Sequence, residues 1–267
     1  MTENKFDIKE TILAVDINEA TQAVKENRFH DAIKLLEISL IEHPDHIDSL
    51  YLAGVCSRYL KEFDDAIKYI ESLLLHAPDM GRAYQELAHI NRDMGNEEKS
   101  ISNYRQACEL NPALISSWMS LYEYFKKNNN KPALDHATEQ INKLQSLPNM
   151  LLYIDQVMNE GRLGVAELKC REFLKKNPTH TYAMSQLSEI ANRLGHFDDA
   201  ELLLEKAVQF NPDDGELRMK YALVLRKKQK FAKTMEQVNI LCDKYPDNLA
   251  YQAQKASEIM QNGQHED

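Results

Sequence analysis

The 267-residue chain is 43% hydrophobic and 28% charged, the balance of a folded globular protein, which excludes bulk disorder. Its net charge of −10 argues against nucleic acid or an anionic membrane as the main partner, because either calls for a basic face. No apolar run approaches the roughly 20 residues that cross a bilayer, and only eight Gly and eight Pro interrupt the chain, so most of it can be helical.

The first residues, MTENKFDIKETIL, mix acidic and polar side chains and lack the continuous apolar stretch of a secretory signal. A repeat then sets in. Pro44, Pro78 and Pro112 are 34 residues apart, and so are Pro178, Pro212 and Pro246. Small residues keep the same step: Ala20, Gly54 and Ala88, then Ser188, Ala222 and Ala256. A second small series runs Ala32, Ala66 and Ser100, and later Ala166, Ala200 and Thr234. Units begin near residues 13, 47, 81, 115, 147, 181, 215 and 249, with one step of 32 from 115 to 147.

Within a unit the apolar residues have helical spacing. Leu50, Ala53, Gly54 and Ser57 share one face of a helix A, and Ala66, Ile70, Leu73 and Leu74 share one face of a helix B. The small residues predict a close approach of A and B, which larger side chains would prevent. Neither helix buries its face alone, so each unit must stack on its neighbours. The fourth unit is the least regular, with the polar turn Asn128-Asn129-Asn130 and Pro132 placed to start a helix. Its second helix still reads Ala133, Leu134, Ala137, Ile141 and Leu144. A local change of pitch is expected near 128–148. Units 1–4 then occupy 1–146, and units 5–7 with the first helix of an eighth occupy 147–267, in one continuous solenoid.

The last helix A spans about 248–261, and Gly263 with an acidic start of helix B follows before Asp267. Two readings stand side by side: the unpaired helix is itself the cap, or the natural protein continues. A third reading is weak self-association, in which a second copy covers the apolar edge that the unpaired helix leaves.

Features that resemble chemistry have repeat positions instead. Asp64-Asp65 and Asp198-Asp199 both lie in the phrase Phe-Asp-Asp-Ala at the start of a helix B. There an acid stabilises the positive helix end by about 0.3–1 kcal/mol. His43, His46 and His180 fall at unit junctions, where turn chemistry explains them better than a metal. Gly95, Gly161, Gly195 and Gly263 occupy the A–B turn, so no cluster remains to cradle a phosphate. Cys56, Cys108, Cys170 and Cys242 are far apart and read as reduced, half-buried helix residues of a cytoplasmic protein. No nucleophile elbow or HExxH pattern is present. The expectation is a non-enzyme without metal or cofactor.

This spacing resembles the tetratricopeptide repeat, which places an aromatic or Leu at repeat position 4, a small residue at 8, Ala at 20 and Pro at 32. The third unit supplies Tyr84, Leu87, Ala88, Tyr104, Ala107 and Pro112, and the sixth supplies Leu187, Ser188, Gly195, Ala200, Ala207 and Pro212. The resemblance covers the chain from about Leu13 onward, with Trp118 at position 4 of the fourth unit. It implies an all-α, right-handed superhelix (an α-solenoid) of about seven helix pairs plus a final unpaired helix.

The resemblance also implies a concave groove lined by positions 2, 5, 9, 12 and 13 of helix A. Carried onto this sequence, those positions include Asp48, Tyr51, Val55, Arg58 and Tyr59, then Arg82, Gln85, His89, Arg92 and Asp93, then Met119, Glu123, Lys126 and Lys127. Of these, Tyr51, Arg58, Tyr59, Arg82, Gln85, His89, Arg92, Lys126 and Lys127 are the nine candidate site residues. Basic side chains beside tyrosines would suit a protein or peptide partner, acidic or offering its C-terminus. The alternative is an ordinary solvated helix face. The carboxylate clamp of chaperone-binding members is not matched, since its positions hold Ile17, Thr21, Leu52, Arg82 and Glu86, and only Arg82 fits. Finally, YLAGVCSRYLKEFDDAI at 51–67, GRAYQELAHINRDMG at 81–95, LNPALISSW at 110–118 and KYALVLRKKQKFAKTMEQ at 220–237 are similar to the N-terminal repeats of bacterial tetratricopeptide-containing sulfotransferases. That implies a second role, a substrate-presenting region of a larger enzyme whose catalytic domain is absent from these residues.

Overall fold

A computed structural model describes residues 17–263, and within them the chain forms fifteen helices and no strand. The start of the first unit at residue 13 and the residues after Gly263 lie outside this range. Two compact units divide the chain between Leu147 and Pro148.

The first unit holds α1 (17–25), α2 (Phe29–Glu42), α3 (Ile47–Tyr59), α4 (Phe63–His76), α5 (Gly81–Asp93), α6 (Glu97–Leu110), α7 (Ile115–Lys127) and α8 (Lys131–Gln145). The second holds α9 (Asn149–Asn159), α10 (Leu163–Lys176), α11 (Thr181–Arg193), α12 (Phe197–Phe210), α13 (Gly215–Lys227), α14 (Phe231–Lys244) and α15 (Leu249–Gly263). Odd-numbered helices are the A helices and even-numbered ones the B helices. From α2 to α8 in the first unit and from α9 to α15 in the second, each helix packs on its neighbours in sequence, and A helices also touch one another, α3 against α5 and α9 against α11. Seven A–B pairs therefore precede α15.

The small-residue series does what its spacing predicts. A Cβ added to Gly54 on α3 would stand 2.5 Å from Ile70 Cδ1 on α4, so Ile70 as it packs here takes the space a Cβ would need. Ala66, Ala166, Ala200 and Thr234 are fully buried at the equivalent place on helix B. Where Ser100 replaces alanine, its hydroxyl donates to Ala88 O at 2.9 Å, so the polar group is satisfied inside the interface. The fourth pair breaks the pattern. Tyr122 stands where Gly54 and Ala88 stand, Leu134 where Ala66 does, and both are half-buried. A gap of about 290 Å³ opens between α7 and α8, lined by Met119, Tyr122, Glu123, Thr138, Ile141 and Asn142.

The 32-residue step has a local origin. α7 starts at Ile115 and α9 at Asn149, so the 34-residue rhythm runs unbroken to this point. However, α9 has 11 residues where most A helices have 13. Pro148 holds ψ at 140°, outside the helix, and delays its start.

One regularity was not expected from the sequence. Repeat position 15 is left-handed in all seven A–B turns: Asn27, Lys61, Gly95, Asn129, Gly161, Gly195 and Gln229 have φ between 52° and 82°. Each turn closes with two backbone bonds of one kind. In the second unit of the repeat, Lys61 N–H donates to Arg58 O at 2.9 Å and Glu62 N–H to Ser57 O at 2.8 Å. This Schellman closure satisfies the last carbonyls of helix A and reverses the chain. At the start of helix A, His46 Nδ1 accepts from Ser49 N–H at 3.2 Å and His180 Nδ1 from Ala183 N–H at 3.3 Å. The junction histidines 46 and 180 thus act as helix caps. Asp64-Asp65 and Asp198-Asp199 lie in the first turns of α4 and α12.

The four cysteines are buried rather than half-buried. They sit at positions where A and B helices meet, Cys56 and Cys170 with no exposed surface at all. Burial pushes the Cys56, Cys108 and Cys170 thiols up to about 12.

Candidate functional site

The nine residues expected to line a groove all lie in the first unit, on α3, α5 and α7. Arg58 leaves the last turn of α3 and crosses to α5. There its Nε meets the Glu86 carboxylate and its Nη1 donates to Asp93 Oδ2 at 3.2 Å. The Arg58 side chain is 11% exposed and that of Glu86 4%. Its guanidinium lies 4.4 Å from the centre of the Tyr59 ring, which stacks flat on Phe29 with centroids 4.5 Å apart. Burial alone would lower the Arg58 pKa, but the adjacent Glu86 carboxylate outweighs it and holds the guanidinium firmly charged. Burial raises the Glu86 carboxyl above its ordinary value, with Arg58 opposing. Arg58 is therefore a strut between consecutive repeats.

His89 and Arg92 converge on Tyr104 of α6. Arg92 Nη1 donates to the Tyr104 hydroxyl at 3.3 Å, and the same oxygen lies 2.7 Å from His89 Nδ1. Arginine can only donate, so the tyrosine oxygen accepts from Arg92 while it shares a second hydrogen bond with Nδ1. Burial first, then the charges of Arg58 and Arg92, push His89 down to about 4, so the ring is neutral at pH 7. Arg92 also donates to Asp93 Oδ1 at 3.1 and 3.2 Å.

The remaining residues divide by role. Gln85 Nε2 donates to Ser116 Oγ and Ser117 Oγ, both at 2.8 Å, tying α5 to α7. Lys127 Nζ meets Glu97 at 2.8 Å. Arg82 lies over the Tyr51 ring at 4.5 Å, and Lys126 over the Tyr122 ring at 5.7 Å. A pocket of about 580 Å³ opens beside them, with Ile101, Tyr104 and Tyr124 as its floor and Arg92, Glu123 and Lys127 at its rim.

Of the five cations expected to meet a partner, Arg58, Arg92 and Lys127 thus already face carboxylates of the chain. Asp93 was expected on the face though not among the nine, whereas Glu86 and Tyr104, which help organise the face, were not among the expected site residues. The one trace of them in the sequence is an acid 28 residues after Arg58, at position 6 of the next unit, where α5 passes α3.

Stacked A–B helix pairs with paired charges across their interfaces define a repeat scaffold. Among the described residues no group of His, Cys, Asp and Glu is arranged to hold a metal, and no helix is long and apolar enough to cross a membrane. Tetratricopeptide-repeat family models match residues 17–74, 81–114 and 186–248, together more than half of the chain. The chain belongs to the tetratricopeptide-repeat family.

Among curated proteins it is similar to a DnaJ homolog subfamily C member 7 homolog of Dictyostelium discoideum, 22% identical over 222 residues. That match covers 80% of this chain but 37% of the relative, so the chain spans little more than a third of that protein's length. Among solved structures, a tetratricopeptide repeat protein from Parabacteroides merdae matches with TM-score 0.44 and 11% identity, covering 93% of this chain and 99% of the other. A thermophilic protein of the same kind in Thermus thermophilus matches with TM-score 0.36 and 16% identity, again over 93% and 99%. These likenesses bear on the fold only.

Proposed function

We propose that the chain is a protein- or peptide-binding scaffold whose working surface is the helix A face of the first unit. The observation that supports this most directly is the set of three cation–tyrosine stacks on that face: Arg82 on Tyr51, Arg58 on Tyr59 and Lys126 on Tyr122. Each presents a flat amphipathic plate, and the Arg58 plate is also held by its bonds to Glu86 and Asp93. Such side chains lose little rotamer freedom on binding, which removes one cost of association. A partner's carboxylates would meet the basic side chains of this face, Arg82 and Lys126 among them.

The buried thiols suit a reducing compartment, and the cytoplasm is the setting we infer. A second reading, a substrate-presenting region of a larger sulfotransferase-like enzyme, rests on the phrasing at 51–67, 81–95, 110–118 and 220–237 alone. Neither reading assigns chemistry to these residues.

The test is capture of partners on the immobilised chain, compared with the double variant Arg82→Glu and Lys126→Glu. Neither residue belongs to the Arg58–Glu86 strut, and circular dichroism checks that the variant keeps its fold. Loss of the captured proteins supports the face. An identical captured set would place binding elsewhere.

A further inference from the structure

The second unit carries its own pocket on the helix A face, and its charge balance differs from that of the first. The pocket has a volume of about 460 Å³ and lies between α11 and α13. Its floor is apolar: Leu204 and Val224 are buried, and Leu223 stands 42% exposed. Lys220, Lys227 and Asn192 form part of its rim.

The rim is where the site departs from an ordinary solvated surface. Glu189 is the acid of the pocket, and Arg193 takes its carboxylate at 2.9 Å. Arg226 is spent on α15, where it bonds the fully buried Glu258 at 2.8 Å and also Gln261. Lys227 has no carboxylate among the described residues. Its Nζ donates to Asn192 Oδ1 at 2.9 Å and lies 5.8 Å from the Phe197 ring. That bond fixes the amide of Asn192 by its oxygen and leaves both Nδ2 hydrogens without an acceptor among the described residues. Lys220, about two turns back along α13, reaches Ser185 Oγ at 3.2 Å and Glu216 at 3.2 Å, the second an exposed i,i+4 pair of little strength.

An unbalanced ammonium, a second weakly held one, and an amide with free donors therefore surround an exposed leucine. We propose that this pocket takes an extended peptide in which an acidic side chain neighbours an apolar one. The apolar side chain covers Leu223 and rests on Leu204 and Val224. The carboxylate meets Lys227 and Lys220 as charge-assisted hydrogen bonds, and Asn192 Nδ2 donates to a backbone carbonyl of the peptide. The site is separate from the one proposed in the first unit, and neither depends on the other.

The experiment is fluorescence anisotropy of the whole chain with a labelled, amidated peptide of alternating Leu and Glu, so that no terminal carboxylate takes part. Its Leu–Gln and Ala–Glu counterparts serve as matched probes, and they need no altered protein. The Leu–Glu peptide should bind, and both counterparts should bind about tenfold more weakly or worse. Affinity should fall as salt rises. Lys227→Glu and Leu223→Asp should each cost about tenfold, while Lys233→Glu, the same charge change on an exposed residue of α14, should cost nothing. Absence of Leu–Glu binding, equal binding of the Leu–Gln peptide, or an equal loss in Lys233→Glu would each overturn the proposal. Equal competition by an oligothymidylate of the same charge would overturn it too, because the pocket would then be reading charge alone.

Discussion

The Arg58–Glu86 strut gives a measurable account of how one repeat is joined to the next. Replacing Arg58 with Met keeps the length of the side chain and leaves Glu86, 4% exposed, without its counter-charge. Breaking a buried pair from one side costs about 3–5 kcal/mol. The lower end applies here, because Arg58 retains a little exposure and Asp93 is 30% exposed. Loss of the cation over Tyr59 adds about 0.5–1 kcal/mol. At about 1–3 kcal/mol per molar urea, the unfolding midpoint of the first unit should fall by more than about 1 M. The double variant Arg58→Met with Glu86→Leu removes both charges and should return to within about 1 kcal/mol of the parent. The deficit of the single variant should also depend on pH. Burial raises the folded carboxyl of Glu86 above the 4.5 of its ordinary state, so the folded protein takes up that proton first as pH falls. The loss is then full above the raised value and fades as pH drops through it. Urea melts followed by circular dichroism, with hydrogen exchange on α3 and α5, read both effects. If single and double variants lose the same stability at pH 7, the strut is not what couples the repeats.

Other consequences can be measured alongside. Lys61→Gly and Gln229→Gly remove non-glycine residues from a left-handed turn and should each stabilise by about 0.5–1 kcal/mol, whereas Gly95→Ala should destabilise by a similar amount, all read from thermal melts. His89 is held neutral with its pKa pushed down to about 4, so the unfolded chain binds its proton first on acidification. Stability should therefore fall between about pH 6.5 and pH 4, by up to roughly 3 kcal/mol, and His89→Gln should flatten that slope in melts across the range. Because burial raises the Cys56, Cys108 and Cys170 thiols to about 12, an aromatic disulfide reagent should leave them unlabelled in the folded chain and label them in denaturant.

The fold was legible because its determinants are local and repeat. A bare Cα at Gly54, an alanine at Ala66 and a proline at Pro78 each solve a problem that recurs every 34 residues, so the solutions line up in the sequence. The left-handed turn recurs just as faithfully but hides, because Lys61, Asn129 and Gln229 fill it as well as glycine does. Backbone conformation leaves no signature where the residue type varies. The 32-residue step was visible, but its cause was not: a two-residue shortening of α9 at Pro148 does not distinguish itself from a change in the turn after Asn130 until the helix ends are seen.

The face of the first unit was less legible for a related reason. Position 12 is basic in Arg58, Arg92, Lys126 and Arg226 alike, and a sequence reading gives all four the same role. What separates them is the residue they meet on the next element. Arg58 and Arg226 find buried acids, Glu86 and Glu258, and become struts. Arg92 finds Asp93 and the Tyr104 hydroxyl, while Lys126 finds a tyrosine ring. The same reasoning runs the other way at Lys227, a position-13 lysine that meets an amide instead of an acid and keeps its charge uncompensated. In a repeat scaffold the period places the cations, and the acids that break the period decide which of them remain available to a partner.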